Sequence, residues 1–289
     1  MDSVLAVDVG GTKMAAGIVS ADGDLLARSA RPTPKGDDAE AVFVALVDAI
    51  QEVRTGNEVS CGVGSGGPMT RGGASVSPLN IPGWRGFPLR DRLSDALGLP
   101  VHIDNDAKAL ALGEGWRGAA RGERNFLAMV VSTGVGGGIV LDGRLLDGED
   151  SNAGHIGHVI VEPDGRVCPC GAQGCLEAEA SGTAIAARTG APAAEASEEE
   201  RQRAGRLVGR GVASVVSLLD LPLAVVAGSV ALGYGDLFFE AAQRELSQRA
   251  RIEFTSGARI APAGLGDEGP LVGAAAVALR AEGHGIGVA

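Results

Sequence analysis

The chain has 289 residues, 45 % of them hydrophobic. That is enough for a buried core and for about two domains at roughly 150 residues each. With 25 basic and 36 acidic residues the net charge is −11, a field that disfavours nucleic acid and anionic membrane surfaces as partners. No run reaches the ~18 apolar residues of a membrane helix, and the first residues enter an apolar strand without a secretory pattern, so the expected location is the cytoplasm.

Residues 4–9 read as a buried strand, Gly10-Gly11-Thr12 as a turn, and 14–19 and 25–30 as further strands joined at Asp22-Gly23-Asp24. Apolar residues at 42, 46, 49, 50 and 53 give a helical period over 40–54. A strand over 59–63 runs into a glycine loop at 64–67, and a short helix follows over 89–97. A strand over 101–103 ends in Asp104-Asn105-Asp106, and a helix continues over 107–115. The pattern then restarts: a strand over 126–131, a glycine-rich turn over 132–138, a strand over 139–141 and an Asp142-Gly143 turn. Strand, glycine turn, strand, Asp-Gly turn thus occurs twice, which suggests an internal duplication. Two α/β halves are expected, 1–115 joined by a C-terminal helix over 270–289, and 116–269. They would hinge near 107–118 and leave a ligand cleft between them. The remainder predicts an exposed Ala/Glu stretch over 193–200, helices over 203–219, 232–251 and 271–281, and a strand over 223–227 that runs into Gly228-Ser229.

Four motifs carry chemistry. Asp8-x-Gly10-Gly11-Thr12-Lys13 lets backbone N–H groups approach phosphate oxygens, with an Asp placed to hold Mg²⁺. The same residues also suit an ordinary glycine hairpin. Thr133-Gly134-x-Gly136-Gly137-Gly138 repeats that chemistry in the second half, and two such turns in a duplicated fold point to a clamped nucleotide. Neither fits a Walker loop, and Ile139 breaks the dinucleotide fingerprint. His158-x9-Cys168-x-Cys170-x4-Cys175 satisfies tetrahedral zinc. Reduced free thiols or a Cys168–Cys175 disulfide are the alternatives. Four protein ligands would leave no open position, so such a zinc would be structural. Asn105-Asp106 places a carboxylate at a strand end, where it can accept a hydroxyl proton or simply cap the next helix. Cys61 stands alone in an apolar stretch and reads as core.

Taken in order with Asn80-x-x-Gly83-Trp84, Gly154-x-x-Gly157-His158, Gly171-x-x-Gly174-Cys175-Leu176-Glu177 and Gly228-Ser229-Val230, these motifs resemble the ROK family of sugar kinases and repressors along essentially the whole chain. The resemblance implies an actin-like ATPase (ribonuclease H-like) fold, two α/β domains flanking a cleft. It implies Asp106 as catalytic base. It implies a first phosphate element of Asp8, Gly10, Gly11, Thr12 and Lys13, and a second of Thr133, Gly134, Gly136 and Gly137. Gly228 and Ser229 would lie on the adenosine side. Asn80, Asn105, Asp106, His158 and Glu177 would bind sugar hydroxyls, and His158 would share the structural zinc with Cys168, Cys170 and Cys175. ATP would be the co-substrate, Mg²⁺ its counter-ion, and a homodimer or homotetramer the expected assembly.

The sequence departs from the family pattern in three places. His155 stands where a sugar-binding Glu is usual, a donor–acceptor ring in place of a pure acceptor. Gly66 replaces a proline, and no helix-turn-helix segment precedes the first strand. The expectation is therefore an ATP-dependent hexose kinase, with glucose phosphorylated at its 6-position and no DNA binding. N-acetylmannosamine or another hexose, a non-catalytic sugar sensor and an actin-like ATPase are the rival readings.

Overall fold

The computed structural model describes residues 3–288. In chain order the regular elements are β1 (Ser3–Val9), β2 (Lys13–Ser20), β3 (Leu25–Pro32), α1 (Ala39–Gln51), β4 (Glu58–Ser65), α2 (Leu89–Leu97), β5 (Val101–Asn105) and α3 (Asp106–Arg117). Then follow β6 (Phe126–Val131), β7 (Val135–Leu141), β8 (Arg144–Leu145), α4 (Leu176–Ala180), α5 (Gly182–Thr189) and α6 (Glu198–Leu219). The chain closes with β9 (Leu223–Ala227), α7 (Ser229–Tyr234), α8 (Asp236–Arg249), β10 (Arg259–Pro262) and α9 (Gly269–Ala281). Residues 3–122, 143–153 and 264–288 form one compact unit, and 123–142 with 154–263 form another.

The first sheet runs β3-β2-β1-β4-β5 and the second β10-β9-β6-β7-β8. In the first, β1 is antiparallel to β2 and parallel to β4, and β4 is parallel to β5. In the second, β6 is antiparallel to β7 and parallel to β9, and β9 is parallel to β10. β6 to β10 therefore take the places of β1 to β5, one for one. The repeated strand–turn–strand pattern reflects this shared topology.

β1 and β9 are buried along almost their whole length, as expected of strands covered on both faces. α1 buries Val42, Phe43, Leu46, Ala49 and Ile50 in a core with Leu5, Val7, Met14 and Trp84. Cys61 is a buried free thiol in that core. Among the described residues no helix is long and apolar enough to cross a membrane.

The structure corrects two local expectations. The second glycine turn spans only 132–134, because Gly136, Gly137 and Gly138 pair with Val130, Met129 and Ala128 inside β7. The helix expected over 232–251 breaks at Gly235, whose φ of 57° and ψ of −138° no helix accommodates. The stretch over 193–200 is largely exposed, as expected, with only Ala196 buried; Ser197 caps α6, and Glu198, Glu199 and Glu200 form its first turn, where carboxylates suit the helix dipole.

Candidate active site

In the first unit the turn after β1 is closed by the Gly10 N–H donating to the Lys13 carbonyl at 3.1 Å. Thr33 holds its other side. The Thr33 hydroxyl donates to the Gly10 carbonyl at 2.6 Å and its N–H to the Thr12 carbonyl at 3.0 Å. Among the described residues no hydrogen bond takes up the Gly11 or Thr12 N–H. Carbonyls tied back with amides left over make a concavity suited to an anion. A Cβ on Gly11 would lie 2.3 Å from the Asn80 Cβ, so the turn and Asn80 meet only because residue 11 lacks a side chain.

Asp8 on β1 stands opposite Gly64 of β4, and Gly64 opposite Asp104 of β5. Asp106 opens α3 directly beyond β5. A Cβ built on Gly64 would lie 3.6 Å from the Asp106 Cα and 3.9 Å from Asp8 Oδ1, so this bare backbone faces both acidic residues. Burial, reinforced by the charge of Asp106 and eased by Lys13, pushes the Asp8 carboxyl up to about 7. The capping and catalytic readings of Asn105-Asp106 are compatible: Asn105 Oδ1 and Asp106 Oδ1 both accept the Ala107 N–H, at 3.0 and 2.8 Å.

Behind Asp106 lies a charge cluster that the sequence reading missed. Lys108 is 1 % exposed, with Nζ 3.0 Å from Asp104 Oδ1 and 2.6 Å from Asp147 Oδ1. It also donates to the Ser151 carbonyl at 3.3 Å, and Arg280 lies 3.5 Å from Asp147 Oδ2. Burial lifts the Asp104 carboxyl and Lys108 pulls it back. The Asp104–Lys108 spacing of four was visible, but it reads equally as a surface helix pair.

In the second unit the turn of residues 132–134 follows the same plan. The Ser132 carbonyl accepts the Gly182 N–H at 2.7 Å. The Thr133 carbonyl accepts the Thr183 hydroxyl at 2.9 Å and its N–H at 3.3 Å. The Thr133 and Gly134 N–H groups are taken up by no described residue. A threonine outside each turn thus holds its carbonyls. Gly228 and Ser229 lie beside this turn, with the Ser229 and Ser132 hydroxyls 3.0 Å apart.

Gly136 and Gly137 lie in β7, where the segment carrying His155 and His158 packs on the strand backbone. A Cβ on Gly154 would be 2.3 Å from the Gly137 carbonyl oxygen, and one on Gly157 2.2 Å from that of Val135. The two imidazoles stand 6.0 Å apart, centroid to centroid.

His158, Cys168, Cys170 and Cys175 converge, with all four ligand atoms within 4.8 Å of one another. His158 Nδ1 is 3.8 Å from Cys168 Sγ, and the Cys170 and Cys175 sulfurs are 3.7 Å apart. Sulfurs about 2.3 Å from a central ion stand about 3.8 Å apart along the edges of a tetrahedron, so this donor set fits zinc. All three cysteines are free, which removes the disulfide alternative. Burial pushes the Cys175 thiol up to about 12 and raises Cys168, a cost that a bound cation reverses.

Cys175 is the N-cap of α4. From that helix Glu177 Oε2 accepts the Val135 N–H at 2.8 Å. Glu179 accepts the Arg166 N–H at 2.6 Å and Arg203 Nη2 at 2.7 Å. These contacts join residues too far apart in sequence for local pattern to reveal them.

Two sheets of identical strand order, each opening on a glycine turn after its first strand, define the actin-like ATPase fold. The sequence profile of the ROK family matches residues 4–281, and the chain belongs to that family. It is 33 % identical to the glucokinase of Streptomyces coelicolor, over 96 % of this chain and 98 % of that protein. It is 44 % identical to the glucokinase of Thermotoga maritima over 63 % of this chain and 58 % of that relative. It is 38 % identical to the N-acetylmannosamine kinase of Citrobacter koseri over 81 % of this chain and 86 % of the other. The crystal structure of a ROK family glucokinase from Streptomyces griseus, in complex with glucose and AMPPNP, superposes with a TM-score of 0.83. It is 32 % identical and covers 94 % of this chain and 98 % of that one.

Proposed function

We propose that the chain is an ATP-dependent hexose kinase that phosphorylates glucose at its 6-hydroxyl. The observation that carries the reading is the pair of turns at Gly11-Thr12 and Thr133-Gly134, each with carbonyls tied to a threonine and two amides left over. Similarity to glucokinase along the whole chain supports it. Asp106 accepts the proton of the sugar hydroxyl while the γ-phosphoryl group transfers in line. Gly10, Gly11, Thr12 and Lys13 hold phosphate oxygens on one side; Thr133, Gly134, Gly136 and Gly137 do so on the other. Gly228 and Ser229 receive the adenosine. Asp8 would hold Mg²⁺, which would supply neutralisation of the phosphate charge when bound.

Asn80, Asn105, His155, His158 and Glu177 bind the sugar hydroxyls. Polar groups of this kind, desolvated once a sugar covers them, would reject analogues that lack a partner. His158, Cys168, Cys170 and Cys175 would hold a structural zinc, which would shape the sugar side of the site without entering the chemistry. The active form is a cytoplasmic homodimer or homotetramer. N-acetylmannosamine is the second reading for the substrate, favoured by the Citrobacter relative and by His155.

ADP release with Mg-ATP, coupled to an indicator reaction across a panel of hexoses and N-acetylhexosamines, tests the proposal. Turnover is expected to peak on glucose. Asp106→Asn is expected to lose most of it, about 10²-fold or more, while still binding sugar. Near-normal turnover in that variant would remove Asp106 from the mechanism, and ATP turnover independent of sugar would remove the kinase reading.

A further inference from the structure

Glu177 lies 42 residues from Val135, yet its Oε2 accepts the Val135 N–H at 2.8 Å. Val135 is the first residue after the 132–134 turn, and it pairs with Val131 across the hairpin. A Cβ built on Gly134 would stand 2.7 Å from the same Oε2. The carboxylate therefore rests on the turn backbone at Gly134 and Val135 at once. Its helix is held from both ends. At its start, next to Cys175 of the Cys3His cluster, the Leu176 N–H donates to the Val159 carbonyl at 2.9 Å, and at its end Arg188 and Arg203 both donate to the Glu179 carbonyl, at 3.0 and 3.1 Å. The opposite side of the turn is fixed independently by Gly182 and Thr183.

We propose that Glu177 is a positioning residue for the nucleotide: it sets the Gly134–Val135 backbone, and with it the two neighbouring amides that receive phosphate. This rests on the kinase reading above and extends it. A carboxylate assigned to the sugar is, through its second oxygen, also the prop of the phosphate turn. The sugar side and the nucleotide side of the second unit thus meet in one side chain.

Three variants test this. Glu177→Ala removes the acceptor. Gly134→Ala keeps the carboxylate but drives it off the Val135 N–H. Glu177→Gln keeps a carbonyl oxygen where Oε2 stands. Equilibrium binding of AMPPNP with Mg²⁺, binding of glucose, and amide exchange of the 132–138 peptide are measured in each. Glu177→Ala and Gly134→Ala are expected to weaken AMPPNP about tenfold and to speed exchange at Val135, as when one buried N–H loses its acceptor. Glu177→Gln is expected to stay within about threefold of the parent for AMPPNP, whatever it does to glucose. Unchanged AMPPNP affinity in Glu177→Ala, with glucose binding lost, would overturn the proposal and leave Glu177 a sugar residue alone. Equal loss in Gln and Ala would overturn it too, because charge rather than the tether would then be what matters. A parent that binds no AMPPNP would instead overturn the kinase reading on which it rests.

Discussion

At the scale of single residues, Asp8 and Asp106 stand out in the sequence only beside the glycine turns, because a carboxylate at a strand end also serves as a helix cap, as Asp106 does. Asp8 carries a pH-dependent consequence. Its folded carboxyl holds a proton to about 7, against 3.8 for a free aspartate. Between those values the folded state binds more protons than the unfolded one, so stability falls as pH rises through the window. The full cost above pH 7 is about 4 kcal/mol. Asp8→Asn is accordingly expected to melt above the parent at pH 8, with the gap narrowing toward pH 5, and to lose Mg-ATP turnover at every pH. Melting curves of both proteins across that range check the sign. A gap that widens on acidification would show that Asp8 is ionised in the folded protein throughout.

At the scale of elements, periodicity found the strands and helices that line a core, and missed what long-range packing decides. Gly136, Gly137 and Gly138 read as turn by composition. They are strand because they pair with Val130, Met129 and Ala128 of β6, and Gly137 is bare because a Cβ there would stand 2.9 Å from the Gly154 carbonyl oxygen, in a segment outside any local window. Thr33 and Thr183, which shape the two turns, carry no local signal at all. Lys108 is the sharpest case. Nothing in the sequence singles it out, yet it is buried and fixes residues 147–151 to the start of the helix that Asp106 opens. Lys108→Met leaves the Asp104 carboxylate without its cation and is expected to cost about 3–5 kcal/mol of stability. Lys108→Met combined with Asp104→Leu is expected to recover much of that loss, since it removes the stranded charge as well. Urea titrations of the single and double variants read the difference. A single variant as stable as the parent would mean that the pair is solvated.

At the scale of the whole molecule, the duplicated strand–turn–strand order was readable because both copies keep their Asp-Gly and Gly-Gly punctuation. The short partners β8 and β10 were not, because two and four residues carry too little pattern. The Cys3His loop has no counterpart in the first unit among the described residues, so the two copies differ where the metal would be held. Its four ligands lie on both sides of the 159–167 stretch and end at the cap of α4, which makes the ion a staple for the 156–180 region rather than for the sheets. The sheet β3-β2-β1-β4-β5 lies wholly in the first unit. Chelation of the zinc is therefore expected to raise amide exchange across 156–180, and to reach Val135 through Glu177. It is expected to leave β1, β4 and β5 as protected as before. Exchange measured with and without chelator, after metal analysis shows about one zinc per chain, decides this. Uniform loss of protection in both units would mean that the metal holds the whole fold. No loss anywhere would mean that the hydrogen bonds of Glu179 with Arg166 and Arg203 are sufficient to hold the loop.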